Sequence, residues 1–392
     1  MKKNGILFRV ASGLLAAALT LSLTACGGSN SNSDASAAAD SADSGATHLR
    51  LIYSPSLCAA PMYIAIENGY FEDEGLDIEQ VTVDAAHVSE AIGADQVDVG
   101  MGLIGKMLQP LENGLPIKFT TGLHTGCTKL LVPGDSDIKS ITDLKGKKIG
   151  VPGLADAATV VSKRSLSAAG IGVTEQNMEV EFSVYSRNDL PQALENGAVD
   201  AIALGDPTAS IAEEQYGLTA LIDTATDPEY KDEYCCAAFV TSKLAAENPA
   251  AAAAFTRAVQ KASQWVQENP DETAKIIVDK QYISGDVDFC AQILKTYNYK
   301  PSVQGGYDAL KLNAEELSKI GVLKEGTDAQ KFADNAYIFF DDVPDAPEAS
   351  SGTTAAAPSA SASSVSFTEA AETEENDCCG GKIEKPDTTR KA

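Results

Sequence analysis

The sequence is poor in histidine and basic residues, and after residue 25 it has no long apolar run. It contains 3 His, and its 30 Lys and Arg are outnumbered by 56 Asp and Glu, for a formal net charge of −26. This balance argues against a nucleic-acid partner, because phosphate binding needs a basic stripe. The missing apolar run leaves the body of the chain without a predicted membrane span. Of the three histidines, the residue type that most often serves in acid–base catalysis, only His124 lies near the cleft predicted below.

Residues 1–25 are predicted to form a lipoprotein signal peptide. A basic start is followed by an apolar run from Gly13 to Leu23, which is too short and wrongly flanked for a spanning helix. Leu23-Thr24-Ala25-Cys26 resembles the bacterial lipobox, so Cys26 is the expected lipidation site. Ordinary secretory cleavage, with Cys26 incidental, is the alternative. Acyl chains on Cys26 would anchor the protein to the extracytoplasmic face of the cell membrane.

Two segments are predicted to lie outside the folded body. Residues 26–47 consist mostly of Ser, Ala, Asp, Asn and Gly and are expected to form a flexible tether. Residues 344–392 are rich in Pro, Ala, Ser and acids and are expected to form a disordered acidic tail. The pair Cys378-Cys379 in that tail could capture metal or be incidental.

Strand and helix patterns alternate through most of the body, which favours an α/β fold with a mainly parallel sheet in each of two lobes. Residues 48–131 are assigned to lobe 1 and residues 132–236 to lobe 2. Residues 237–343 are assigned to lobe 1 again and are mostly helical. A strand over Cys235–Thr241 is followed by one long helix over Lys243–Glu268 and by shorter helices. Helices without strands of their own must pack on an existing sheet. The chain therefore crosses between lobes twice, and a cleft is expected at the crossing.

Ligands of open α/β sheets bind beyond the carboxyl ends of the strands. Five loops follow such ends: Ser54–Cys58, Gly102–Gly105, Gly122–Cys127, Gly153–Asp156 and Gly205–Thr208. From these loops and the residues next to them, the predicted ligand-binding residues are Ser56, Cys58, Gly102, Ile104, His124, Cys127, Asp156, Thr159, Asp206 and Cys235.

Two acidic residues in these loops bear on the charge of the ligand. Asp156 stands at a helix entry that would otherwise suit an anion, so the site looks poor for a strong acid. It could instead simply cap the helix. Asp206 could be a turn residue before Pro207. If both carboxylates face the cleft, the ligand should carry an amine or another donor group.

Cys58, Cys127 and the pair Cys235-Cys236 bring thiols from distant parts of the sequence toward the predicted cleft. Because successive strand residues point to opposite faces, only one member of the pair should face the ligand. Three interpretations stay open. They are buried apolar packing, as expected for Cys290, a disulfide, or a thiolate site for a soft metal or a metal chelate, with His124 as a further ligand.

Two stretches carry a resemblance to a known family. Ala60–Phe71 with Glu74-Gly75-Leu76-Asp77, and Leu131-Val132-Pro133 with Ile138–Val151, are similar to solute-binding lipoproteins of nitrate, sulfonate, taurine and thiamine-precursor ABC importers. The resemblance implies a two-lobed periplasmic-binding-protein fold of type II that closes on a small molecule. It also implies an ABC permease and its ATPase as partners.

The same fold serves a eukaryotic pyrimidine synthase of thiamine biosynthesis, to which this chain is only partly similar. Cys235-Cys236 stands where that enzyme has a longer cysteine cluster, and the loop Gly102–Lys106 lacks the histidine of the synthase. We therefore expect a binding protein without a cofactor rather than an enzyme. A purely adhesive surface protein would need neither two lobes nor loops at a cleft.

Overall fold

The structure is a computed structural model that describes residues 45–83 and 87–347. The predicted signal peptide, Cys26, most of the predicted tether and Cys378-Cys379 lie outside these residues. Everything described belongs to one compact unit. Among the described helices, none combines the length and the apolar character needed to cross a membrane.

The described residues form ten strands in two sheets. In chain order, the strands are β1 Thr47–Tyr53, β2 Leu76–Thr82, β3 Val99–Leu103, β4 Ile117–Thr125, β5 Thr128–Pro133, β6 Lys148–Val151, β7 Glu181–Val184, β8 Ala201–Gly205, β9 Leu218–Asp223 and β10 Tyr234–Thr241. The first sheet has the order β2-β1-β3-β10-β4 and the second the order β7-β6-β8-β5-β9.

The two sheets share one design. In the first, β1 pairs in parallel with β2 and β3, and β10 runs antiparallel to both β3 and β4. In the second, β6 pairs in parallel with β7 and β8, and β5 runs antiparallel to both β8 and β9. The antiparallel strand is in each case the one through which the chain enters from the other sheet. The prediction of mainly parallel sheets is confirmed, with this one exception in each.

Thirteen α-helices connect and cover the strands within the described part of the chain. They are α1 Ala60–Glu67, α2 Tyr70–Asp73, α3 Val88–Gly93, α4 Ile104–Glu112, α5 Ala157–Ala168, α6 Leu190–Glu195, α7 Thr208–Tyr216, α8 Ser242–Glu247, α9 Pro249–Glu268, α10 Pro270–Asp279, α11 Val287–Thr296, α12 Val303–Lys319 and α13 Ala329–Ala336.

The C-terminal helices pack on the first sheet, as predicted. Helix α9 contacts α1, α2 and β4, and α12 and α13 also contact β4. The single helix predicted over Lys243–Glu268 is wrong, because α8 ends before Asn248 and α9 starts at Pro249. Proline cannot donate the backbone hydrogen bond of a helix interior but suits a first turn. Asn248 caps the new helix by accepting a hydrogen bond from the Ala251 N–H at 3.1 Å.

The chain passes between the sheets a few residues before the predicted lobe boundaries. It leaves the first sheet after Thr125, enters the second at Thr128, and returns between Asp223 and Tyr234. The first crossing consists of only two residues, Gly126 and Cys127, between β4 and β5. The division into two lobes that move against each other stays a prediction.

The ordered body also extends past the predicted tail boundary at residue 344. The backbone oxygen of Asp345 accepts a hydrogen bond from the Val303 N–H at 2.9 Å, and its Oδ1 accepts one from the Gln304 N–H at 2.7 Å. An acidic side chain is favoured here because the first turn of α12 offers free N–H groups. Pro344 and Asp345 therefore belong to the body and not to the tail.

Candidate functional site

A cleft with a volume of about 190 Å³ opens at the carboxyl ends of strands from both sheets. All five loops predicted from the strand ends contribute to its wall. Its lining residues include Ser54, Ser56, Cys58, Met101, Gly102, Leu103, Cys127, Thr128, Asp156, Ala157, Gly205, Asp206 and Thr208. The rule that places ligands beyond strand ends thus locates one shared cavity.

Six of the ten predicted ligand-binding residues line this cleft: Ser56, Cys58, Gly102, Cys127, Asp156 and Asp206. Ser56 also caps a short 3-10 helix, because its hydroxyl accepts a hydrogen bond from the Cys58 N–H at 3.2 Å. That helix holds Cys58 against the wall. A ligand-binding role for these six residues stays a prediction.

The other four predicted residues do not line the cleft. Ile104 starts α4 with its side chain in the hydrophobic core. Thr159 is fully buried, and its hydroxyl is satisfied by donating to the Gly153 oxygen at 2.6 Å. His124 is buried on β4 behind the wall. Ile104 and Cys235 lie on a smaller cavity of about 40 Å³ instead. Sequence spacing alone does not separate wall positions from the core positions next to them.

The charged part of the wall differs from the prediction. Asp156 caps α5 by accepting a hydrogen bond from the Ala158 N–H at 3.0 Å, and its Oδ2 also pairs with Nη2 of Arg187 at 2.6 Å. Arg187 and Lys106 line the cleft as well, and both were missed. Arg187 comes shortly after β7, so the rule that ligands bind beyond the carboxyl ends of strands could have identified it. With Asp206 included, two cationic and two acidic side chains line the cavity.

Asp206 is partly buried in the cleft wall. Its Oδ1 accepts hydrogen bonds from the N–H of Ser210 at 2.9 Å and from its hydroxyl at 2.8 Å. Burial raises the pKa of the Asp206 carboxyl to about 6, although the nearby ammonium of Lys129 acts in the opposite direction. Ionisation of the Asp206 carboxyl therefore costs more free energy in the folded protein than in water.

Replacing Asp206 by Asn should change how stability depends on pH. Between the ordinary pKa of 3.8 and the folded value of about 6, the folded state keeps a proton that the unfolded state has lost. Stability of the wild type therefore falls as pH rises through this window. The variant should match the wild type near pH 4 and exceed it at pH 7 by about 1–3 kcal/mol, at about 1.4 kcal/mol per pKa unit.

Urea unfolding at several pH values measures this difference. Asp232→Asn removes the same charge from a side chain that is 77% exposed and so controls for the loss of one negative charge. A stability difference between Asp206→Asn and the wild type that did not change with pH would contradict the prediction.

The thiols form one cluster at the base of the cleft. Sγ of Cys127 lies 3.2 Å from Sγ of Cys235, which is 3.5 Å from Nδ1 of His124. Against β4, residues 234 and 236 of β10 pair with adjacent residues, so Cys235 is the extra residue of a β-bulge. The bulge brings both thiols of the pair into the cluster, and Cys236 rather than Cys235 lines the cleft. One thiol of the pair therefore lines the cleft, as expected, but it belongs to Cys236 and not to the predicted ligand-binding residue Cys235.

All five cysteines in the described ranges are free thiols. Burial opposes ionisation of Cys235, but hydrogen bonds with the thiols of Cys127 and Cys236 outweigh it and lower the pKa of Cys235 to about 7. Aromatic side chains pack next to the thiol cluster. The ring of His124 stacks on the ring of Tyr297, with 5.2 Å between their centroids. Cys290, by contrast, packs in the hydrophobic core on α11, as expected.

Comparison with known proteins gives the family context of this site. The sequence profile described as NMT1/THI5 like matches residues 58–273, more than half of the chain. The match includes both crossings between the sheets and all of the predicted ligand-binding residues except Ser56.

Two relatives with curated names illustrate the similarity. The formylaminopyrimidine-binding protein of Halalkalibacterium halodurans is 23% identical over 238 residues, which cover 59% of this chain and 69% of the relative. The nitrate/nitrite binding protein NrtA of Nostoc sp. is 25% identical over 266 residues, which cover 61% of this chain and 58% of the relative. The chain thus spans 58–69% of the lengths of these two relatives. Both are described as binding proteins and not as enzymes.

Solved structures agree on the fold. The periplasmic aliphatic sulphonate binding protein SsuA from Escherichia coli superposes with a TM-score of 0.60 at 17% identity, covering 72% of this chain and 91% of that chain. The fold is therefore that of type II periplasmic binding proteins, as predicted. At this level of identity the likeness concerns the fold alone.

Proposed function

Because the chain belongs to the NMT1/THI5-like family, we propose that it is an extracytoplasmic solute-binding protein of an ABC importer. It captures a small organic molecule in the cleft and delivers it to a permease driven by an ATPase. The observation that carries this proposal is the cleft itself, whose wall is built by loops from both sheets. Relatives named for binding formylaminopyrimidine and nitrate support the same role.

The wall of the cleft favours a polar ligand without a large net charge. Two cationic side chains, Lys106 and Arg187, are balanced by Asp156 and Asp206, and Ile52, Val88, Met101 and Met107 supply apolar surface. A strong acid would meet two carboxylates, and a simple cation would meet two basic groups. A zwitterion, or a neutral heterocycle with both donors and acceptors, satisfies both kinds of partner.

Attachment to the membrane is part of the proposal. It rests on the sequence around Cys26, outside the described residues, whose lipidation would hold the protein at the extracytoplasmic surface. The net charge of −26 would keep the body away from anionic headgroups, so the segment before β1 would serve as a spacer. Metabolic labelling with an alkyne fatty acid should mark the wild type but not Cys26→Ser.

Ligand capture is tested with protein purified from its own source. Native mass spectrometry should show one co-purified small molecule per chain. When the identified molecule is added back, the melting temperature should rise with its concentration, and small-angle scattering should show compaction. Arg187→Gln should weaken binding by about 10-fold or more, because a charge-assisted hydrogen bond contributes about 1.5–3 kcal/mol.

Asp232→Asn serves as the matched control, since it alters an exposed charge away from the cleft wall and should bind normally. A protein that carries no small molecule, and whose radius of gyration stays constant with every candidate solute, would contradict the proposal.

A further inference from the structure

Four thiols and one imidazole meet where the chain crosses between the sheets. The Sγ atoms of Cys58, Cys127 and Cys236 all lie within 4.8 Å of one another. Ligand atoms of His124, Cys235 and Cys236 form a second group within the same limit. Cys236 belongs to both groups, so the five side chains form one continuous cluster.

We propose that this cluster is a binding site for a thiophilic divalent cation such as Zn²⁺. Cys58, Cys127 and Cys236 supply three thiolates, and Cys235 or His124 completes the coordination. Zinc in proteins is typically four-coordinate with sulfur and nitrogen donors at about 2.3 Å and 2.0–2.1 Å. A tetrahedral site of this size needs sulfur atoms roughly 3.8 Å apart, a spacing that small side-chain rotations reach from the observed one.

Charge favours a divalent ion over a monovalent one. Three thiolates carry three negative charges, so a divalent ion with a neutral fourth ligand leaves one and a monovalent copper ion leaves two. Cys58, Cys127 and Cys236 are at most 8% exposed, and residual charge in such surroundings is costly. Of these two kinds of ion, a divalent ion held by three thiolates and one imidazole therefore leaves the smaller charge.

The imidazole of His124 provides an independent observation. His124 is 0% exposed, and its Nε2 has no hydrogen-bond partner anywhere in the described residues. An unsatisfied buried polar atom costs free energy, so the hydrogen bonding of this ring is incomplete. The ring nitrogen shown next to the thiols is Nδ1, which lies 3.5 Å from Sγ of Cys235 and 3.4 Å from the Thr125 oxygen, so Nδ1 is the nitrogen within reach of an ion in the cluster.

The ion also has a way in. Cys58, Cys127 and Cys236 all line the cleft, so three of the proposed ligands face a solvent-connected cavity. The ligands come from the loop after β1, the crossing between β4 and β5, and the start of β10. A bound ion would therefore tie the crossing to the first sheet. This inference does not rest on the proposed function, because the ion would bind whether or not a solute is transported.

The test uses the full chain, reduced and kept without oxygen, with Zn²⁺ and Co²⁺ as probes. One ion per chain should bind, and Co²⁺ should give the intense thiolate charge-transfer absorption of a tetrahedral sulfur site. Cys58→Ser and Cys236→Ser should each weaken Zn²⁺ binding by more than about 100-fold, since loss of even an outer partner costs 10- to 100-fold. X-ray absorption on the wild type should count at least three sulfur donors, a result that needs no variant to fold.

Two controls separate the cluster from other thiols of the chain. Cys290→Ser changes a thiol that is equally buried, 3% exposed, but lies in the hydrophobic core. The double variant Cys378→Ser/Cys379→Ser removes the adjacent thiols near the C-terminus. Both should bind Zn²⁺ like the wild type.

Several results would overturn the assignment. They are failure of the reduced wild type to bind Zn²⁺, binding that survives Cys236→Ser, fewer than three sulfur donors, and loss of binding in the double variant. Exclusive binding of Cu⁺ would overturn the assignment to a divalent ion.

Discussion

Replacing Arg164 by Met is expected to lower the free energy of unfolding by about 3–5 kcal/mol. Arg164 on α5 pairs with Glu233 through two parallel hydrogen bonds of 2.7 and 2.8 Å, and the two side chains are only 9% and 12% exposed. Glu233 also accepts a hydrogen bond from the side-chain amide of Asn313 on α12 at 2.7 Å. Without the guanidinium, a buried carboxylate would keep only this neutral partner. Urea unfolding measures the loss.

An exposed ion pair provides the matched control. Lys148 and Glu181 lie 3.7 Å apart with side chains 53% and 60% exposed, and Glu181→Gln should cost less than about 1 kcal/mol. Replacing both Arg164 and Glu233 by apolar residues should recover much of the loss, because desolvation of the pair offsets most of its attraction. If Arg164→Met behaved like Glu181→Gln, the network would carry little of the stability.

This pair matters for function because of what it joins. Arg164 belongs to a helix that packs on the second sheet, Glu233 lies on the return crossing, and Asn313 belongs to a helix that packs on the first sheet. The network thus fastens α5, whose first turn lines the cleft, to the body of the first sheet. We expect Arg164→Met to weaken ligand binding as well as stability.

No sequence pattern predicts the ion pair of Arg164 and Glu233. Its members are 69 residues apart, and an arginine in the middle of a helix looks like an ordinary surface position. What the sequence does show is local: the alternation of strands and helices, and the polar or small residues after each strand. Those signals are enough for the fold and for the five loops of the cleft, because parallel strands bring their carboxyl ends to one edge.

Two of the differences between prediction and structure come from departures from the ideal period of a strand or a helix. A regular strand would separate Cys235 from Cys236, and the bulge against β4 cancels that separation. Likewise, a regular helix was predicted through Pro249, although Asn248 and Pro249 together form a stop and a new start. The periodicity of a sequence predicts regular strands and helices. It does not predict bulges and helix breaks, where side chains change direction, so these positions can be located only from the structure.

The crossing itself depends on a glycine. Gly126 links β4 to β5 with φ of +71°, in the left-handed region that side chains other than glycine disfavour. A Cβ added there would lie 2.7 Å from Cα of Ala225 on the return crossing. Gly126 therefore serves both the turn and the close approach of the two segments. Its carbonyl oxygen lies 3.4 Å from Sγ of Cys235, so the thiol cluster depends on the same packing.

Gly126→Ala is expected to lower the free energy of unfolding by about 3 kcal/mol or more. The left-handed backbone contributes about 1–2 kcal/mol of this and the forced separation from Ala225 about 1–3 kcal/mol. Gly146→Ala isolates the first effect, because Gly146 has φ of +76° but no atom within 4 Å of the added Cβ. Urea unfolding of both variants should therefore show a larger loss for Gly126→Ala, and the excess measures how closely the two crossings are held. Equal losses would mean that the crossings separate freely, in which case the 2.7 Å contact plays no part in setting the geometry of the cleft.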